Sequence, residues 1–97
     1  MIVEIQVLPK PSGTDEAPYA VVEAAIAVIE ASGLRYEVGA LGTTIEGEPD
    51  ALWPLLRQVH EACFAAGAAS VVCVIKVFET REPAAPQIDD LVGKFRQ

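Results

Sequence analysis

Along this chain the spacing of apolar residues switches between two periods, near 2 and near 3.6, and each switch marks the start of a new element. Val3, Ile5 and Val7 alternate with Ile2, Glu4, Gln6 and Leu8, which predicts a strand over residues 2–8 with one wholly apolar face. Pro9 and Pro11 are expected to end it, because proline has no N–H to give to a ladder. Pro-Ser-Gly-Thr-Asp then reads as a loop. Asp15 is placed to cap a helix with Glu16 and Pro18 in its first turn. Tyr19, Val22, Ile26 and Ile29 carry that helix to Ser32, and Gly33 stops it.

The next stretch, Leu34 to Gly47, has two short alternating arms around a loop bounded by Gly39 and Gly42, the pattern of a β-hairpin. Arg35, Glu37, Thr44 and Glu46 occupy alternate positions, so one face is polar and the other holds Leu34, Tyr36, Val38 and Ile45. Pro49 then opens a second helix beside Glu48 and Asp50. Its stripe of Leu52, Leu55, Leu56, Val59 and Cys63 runs to Gly67, with Arg57, Gln58 and Glu61 on the exposed side. Residues 69–79 are dominated by β-branched side chains and predict a last strand: Val71, Cys73, Ile75 and Val77 on one face, Val72, Val74, Lys76 and Phe78 on the other. After a proline-rich connector over residues 80–86, Ile88, Leu91, Val92 and Phe95 mark a short terminal helix. Asp89 and Asp90 in its first turn and Lys94 and Arg96 in its last suit the helix dipole.

The order is strand, helix, strand, strand, helix, strand, then a terminal helix. It predicts an α+β, ferredoxin-like βαββαβ domain spanning residues 1–97, with two helices on one face of a four-stranded antiparallel sheet and the first and third strands central. With the apolar parity assigned to the helices, Glu4, Gln6, Arg35, Glu37, Thr44, Glu46 and Lys76 fall on a bare face among Ile2, Leu8, Val72, Val74 and Phe78. Such a mixed face predicts pairing with the sheet of another copy.

Composition narrows the function classes. The formal charge of -7, from 14 acidic and 7 basic residues, repels a phosphate backbone and leaves no basic stripe for nucleic acid. No apolar run approaches the roughly 18 residues of a membrane span. The opening strand pattern leaves no room for a basic leader, so a cytoplasmic location is expected. Cys63 and Cys73 lie inside apolar periodic segments rather than in a Cys/His cluster, and are expected to be buried reduced thiols without a metal. His60 has no second His or Cys at ligand spacing, and packing is its expected role. Trp53 and Phe64 share its stripe. No catalytic set stands out, which predicts a protein that is not an enzyme.

Met1–Pro9, Ile29–Gly39, the run Gly42-Thr-Thr-Ile-Glu-Gly47, and His60–Phe64 followed by Gly67-Ala68 together resemble the small thiamine-binding proteins. The resemblance covers nearly the whole chain, and Gly-Thr-Thr-x-Glu-Gly is its most specific part. Pro49, Trp53 and the proline-rich connector depart from it. It implies a ferredoxin-like fold and dimers or tetramers assembled through the sheets. It also implies binding of thiamine or its hydroxymethylpyrimidine half near subunit interfaces, as a ligand rather than a cofactor.

Carrying the motif over points to Thr43, Thr44 and Glu46 as ligand-binding residues, and strand parity adds Gln6 and Glu37. An aminopyrimidine offers ring nitrogens as acceptors beside an amine donor, and these residue types complement it. The thiazolium cation favours carboxylates and aromatic faces, with Tyr36 the aromatic candidate. Each residue also has a purely structural explanation: β-propensity for the threonines, and cross-strand or intersubunit ion pairs for Glu46, Arg35 and Lys76. Thr43 presents a conflict, because parity turns it inward unless the strand opens irregularly after Gly42. The expected function is non-enzymatic carriage, buffering or supply of thiamine or its pyrimidine half. The alternative is an oligomerisation domain with no small ligand. An acylphosphatase-like enzyme ranks last, because residues 8–14 supply neither an Arg nor a Gly-rich cradle.

Overall fold

The computed structural model describes residues 1–96 and contains β1 (Ile2–Lys10), α1 (Ala20–Ala31), β2 (Arg35–Val38), β3 (Thr43–Glu46), α2 (Pro49–Ala65), β4 (Ser70–Phe78) and α3 (Ile88–Val92), the last continued by a 3-10 turn over Gly93–Phe95. The strands form one antiparallel sheet in the order β2-β3-β1-β4, the ferredoxin-like arrangement, with β3 and β1 central as the alternation predicts. Val3, Ile5 and Ile45 meet Val21, Ala25 and Ile29 of α1 and Leu52, Leu55, Leu56, Val59 and Cys63 of α2 in the core. Four of the expected far-face positions are directly visible in the register. Glu37, Thr44, Glu4 and Lys76 form one row across the four strands on the face away from α1 and α2, and Glu4 meets Lys76 at 3.6 Å.

Several expectations are corrected. β1 does not stop at Leu8 but runs through Pro9 to Lys10. The ladder explains why. The Ala69 N–H donates to the Lys10 carbonyl at 2.8 Å, on the β4 side, whereas the Gly47 N–H donates to the Met1 carbonyl at 3.1 Å, on the β3 side. Even-numbered residues of β1 therefore bond toward β4 and odd-numbered ones toward β3. β3 pairs with β1 only over Ile2–Ile5, so the N–H that Pro9 lacks would have pointed where no strand lies.

Helix α1 begins at Ala20, not next to Asp15. The segment before it is a turn in which the Ala17 N–H donates to the Thr14 hydroxyl at 3.1 Å and the Ser12 hydroxyl donates to the Pro18 carbonyl at 2.7 Å. Tyr19 is consequently exposed, and the buried stripe of α1 is Val21, Ala25 and Ile29 rather than Tyr19, Val22 and Ile26. The stop at Gly33 is as expected; with φ at 76°, a conformation that costs glycine little, it lets the chain reverse into β2.

On β4, Ile75 and Val77 share the helix-side face with Cys73 yet remain 40% and 42% exposed. α1 and α2 leave this end of the edge strand uncovered. Cys63 is fully buried, but Cys73 is only half-buried; burial pushes both thiols up from their usual range. His60 packs edge-to-face on Phe64, with ring centroids 5.4 Å apart.

The face opposite α1 and α2 is not bare throughout. α3 crosses it over β2 and β3. The Ile88 N–H donates to Glu46 Oε2 at 2.8 Å, and Asp89 accepts from Arg35 at 2.9 Å and from Arg96 at 2.6 Å, while Arg96 also pairs with Glu37. Leu8, Val72, Val74 and Phe78, on β1 and β4, remain outside this cover and exposed.

Candidate functional site

The hairpin loop separating β2 from β3 has a recess on each side. One is a cavity of about 480 Å³ on the helix side, bordered by the second half of β1, Val22 and Ile26 of α1, the loop Gly39–Gly42, and Thr43. Its existence follows from the unequal strands. β1 has nine residues and β3 four, so β1 continues past the end of its partner while the loop turns away and leaves Leu41 exposed. α1 closes the gap from above with the Val22 and Ile26 side chains that its rotation keeps out of the core.

The lining is mostly aliphatic, the usual composition of a small-ligand pocket, where a few polar groups set orientation. Those groups are the hydroxyls of Thr43, Ser12 and Tyr19 and the backbone of β1 and the loop; Gln6 borders the cavity, but the β1 register turns its side chain to the opposite face with Glu4. Among the described residues, Lys10 is the sole bordering residue with a formal charge, and no carboxylate side chain borders the cavity. Thr43 resolves the parity conflict by keeping a regular register, opposite Ile5 and Val38, and pointing inward; it is 4% exposed, and inward is where the cavity lies.

The second recess lies across the sheet, beneath the terminal segment. Glu4, Glu37, Val38, Thr44, Val92, Phe95 and Arg96 border it. Its charges are already matched. Glu37 pairs with Arg96 and lies 3.6 Å from Arg35, and the Arg35 guanidinium is raised above its ordinary value chiefly by its hydrogen bond to Asp89. Hydrogen bonds from Arg96 and then Arg35 hold the Asp89 carboxyl below the usual range.

The five residues singled out from sequence are therefore divided. Thr43 and Gln6 border the cavity, Thr44 and Glu37 border the recess on the other face, and the Glu46 carboxylate engages the start of α3.

A family model described as thiamine-binding protein matches residues 3–96. The chain belongs to this family. A UPF0045 protein of Clostridium perfringens is 35% identical over 94 residues, covering 97% of this chain and 95% of that one. Among solved structures, a domain of unknown function, DUF77, from Bacillus cereus superposes with a TM-score of 0.79 at 38% identity, covering 99% of this chain and 91% of that one. A Thermotoga maritima protein, proposed to act in thiamine biosynthesis or salvage, shares the fold with a TM-score of 0.77 at 24% identity, covering 99% and 100%.

Within this thiamine-binding family member, sequence reasoning missed Ser12, Tyr19, Val22, Ile26 and Leu41 as cavity-bordering residues. Val22 and Ile26 carried a legible signal as apolar positions, but their helical spacing is the spacing of a core stripe as well. Only the start of α1 five residues after Asp15 decides between the two.

Proposed function

We propose that the protein binds thiamine, or its hydroxymethylpyrimidine half, in the cavity beneath the β2–β3 loop, without catalysing a reaction, and so carries, buffers or supplies it. The observation that carries this reading is Thr43: the middle of the family's Gly-Thr-Thr signature faces inward onto a mostly aliphatic cavity of about 480 Å³, within the size range of small-molecule sites. A flat pyrimidine ring suits aliphatic walls, and Thr43 offers it a hydroxyl. With no carboxylate on the wall among the described residues, the uncharged pyrimidine half goes in first and the thiazolium cation stays toward solvent.

Association with further copies belongs to the same proposal. Leu8, Val72, Val74 and Phe78 form an exposed apolar area on the part of the sheet that α3 leaves open, and Leu8 also borders the cavity. A second sheet stacked there would bring the ligand to a subunit interface, with Thr44, Glu37 and Glu46 near its margin. That exposed area equally favours a second reading, an oligomerisation domain with no small ligand.

Titration calorimetry with thiamine and with hydroxymethylpyrimidine separates the two. The binding reading expects a dissociation constant in the micromolar range or below for at least one of them. Absence of heat with both, alongside an oligomer in native mass spectrometry, would leave the oligomerisation reading.

A further inference from the structure

The open edge of β1 supplies a recognition element that no side chain reveals. Odd-numbered residues of β1 direct their N–H and C=O groups toward β3, as shown by the bond to the Met1 carbonyl and by the Ile5 carbonyl, 3.2 Å from where a Cβ on Gly42 would stand. β3 ends its pairing at Ile5, opposite Thr43. The next odd residue is Val7. Its N–H and C=O point past the end of β3 into the gap bordered by the loop and α1, and Val7 itself borders the cavity. Among the described residues no backbone hydrogen bond from the loop reaches it. Pro9, the following odd residue, offers a carbonyl and no donor. The cavity wall therefore presents one backbone donor and one backbone acceptor side by side, both on Val7, with the Thr43 hydroxyl nearby on the adjoining strand.

Backbone groups in an apolar cavity need partners, and an unmade bond there costs on the order of 1–3 kcal/mol. A ligand that enters the cavity must present an acceptor next to a donor in one plane, as β3 would if it were two residues longer. We propose that Val7 binds the amino-substituted edge of a planar N-heterocycle as a substitute strand: its N–H donates to a ring nitrogen and its C=O accepts from the adjacent exocyclic amine. The inference rests on the binding reading above and deepens it. It makes Val7 the residue that sets specificity for an aminopyrimidine edge, through its backbone, and it predicts that the arrangement of donor and acceptor matters more than the ring's other substituents.

Two measurements test it. In calorimetry, hydroxymethylpyrimidine is compared with the analogue whose exocyclic amine is replaced by oxygen; in its keto form this reverses donor and acceptor along that edge, and binding at least about tenfold weaker is expected. In amide hydrogen exchange followed by NMR, saturation with hydroxymethylpyrimidine is expected to slow the Val7 N–H by at least about tenfold and to leave the ladder-bonded Val3 N–H unchanged. If hydroxymethylpyrimidine binds but the keto analogue binds equally well, or Val7 exchange is unaltered, the role of Val7 is overturned while the binding function stands. If neither thiamine nor hydroxymethylpyrimidine binds, the function itself fails and Val7 with it.

Discussion

The Glu46 carboxylate, at the last position of β3, accepts a 2.8 Å hydrogen bond from the backbone N–H of Ile88, the first residue of α3. The first N–H groups of any helix lack intrahelical partners, and here one of them is satisfied from 42 residues away. Hydrogen bonds to charged groups contribute about 1.5–3 kcal/mol, so this contact fastens the terminal segment to the sheet. Replacing Glu46 by Ala is expected to release α3: exchange at the Ile88 amide rises about tenfold or more, while thermal unfolding of the remaining fold shifts by a few degrees at most. Thiamine affinity should stay within about twofold of the parent, because the carboxylate faces away from the cavity. Calorimetry on the same variant checks that point.

Thr43 should behave in the opposite way. Thr43→Val removes one hydroxyl from a buried site and leaves the shape nearly unchanged. A neutral hydrogen bond is worth about 0.5–1.5 kcal/mol, so ligand affinity is expected to fall roughly two- to tenfold with little loss of stability. Paired calorimetry and thermal denaturation separate these effects; a loss of stability without a loss of affinity would remove Thr43 from the site.

Gly13 is confined by its own loop. A Cβ there would stand 2.1 Å from the Ala17 carbonyl oxygen and 2.6 Å from the Pro18 carbonyl carbon, both backbone atoms that cannot swing aside. Gly13→Ala should therefore displace the turn before α1 and cost about 1–3 kcal/mol, in line with overpacking elsewhere. In a domain of this size that lowers Tm by roughly 4–8 °C per kcal/mol. Ser12 and Tyr19 border the cavity from this turn, so ligand affinity should fall too.

The Asp89 contacts make docking of the terminal segment dependent on acid. Arg96 and Arg35 hold the Asp89 carboxyl below its ordinary value of 3.8. A depressed carboxyl contributes stability that is fully present above its unfolded value and is lost as pH falls through the folded one. The segment should accordingly stay docked from neutral pH down to about pH 4 and loosen only below it. In Asp89→Asn this acid dependence should be reduced. The Ile88 amide resonance, followed by NMR across an acid titration of both forms, measures it.

Much of the architecture was legible in the chain. The period-two runs through Val3, Ile5 and Val7 and through Val71, Cys73, Ile75 and Val77, and the stripe from Leu52 to Cys63, specify strands and a helix because each must bury one apolar face. The β2–β3 pairing and the opposed faces of Thr43 and Thr44 follow from the same alternation. The site was less legible. Gly42-Thr-Thr-Ile-Glu-Gly47 begins at the loop that borders the cavity, but its residues serve different surfaces, because adjacent positions in a strand lie on opposite sides of the sheet.

What the sequence by itself determined was the order of elements, the face each apolar residue seeks and the conformation of turns such as Gly33, since these depend on local sterics and on periodic burial. The tertiary structure alone decided where strands of unequal length stop pairing, how far α1 rotates, and which sheet surface the terminal helix covers. The cavity beside Val7 and the contact of Glu46 with Ile88 are products of those decisions. Both depend on a backbone N–H far along the chain from the group it faces, and backbone groups are the same at every position, so the side-chain pattern holds no record of which N–H will need a partner.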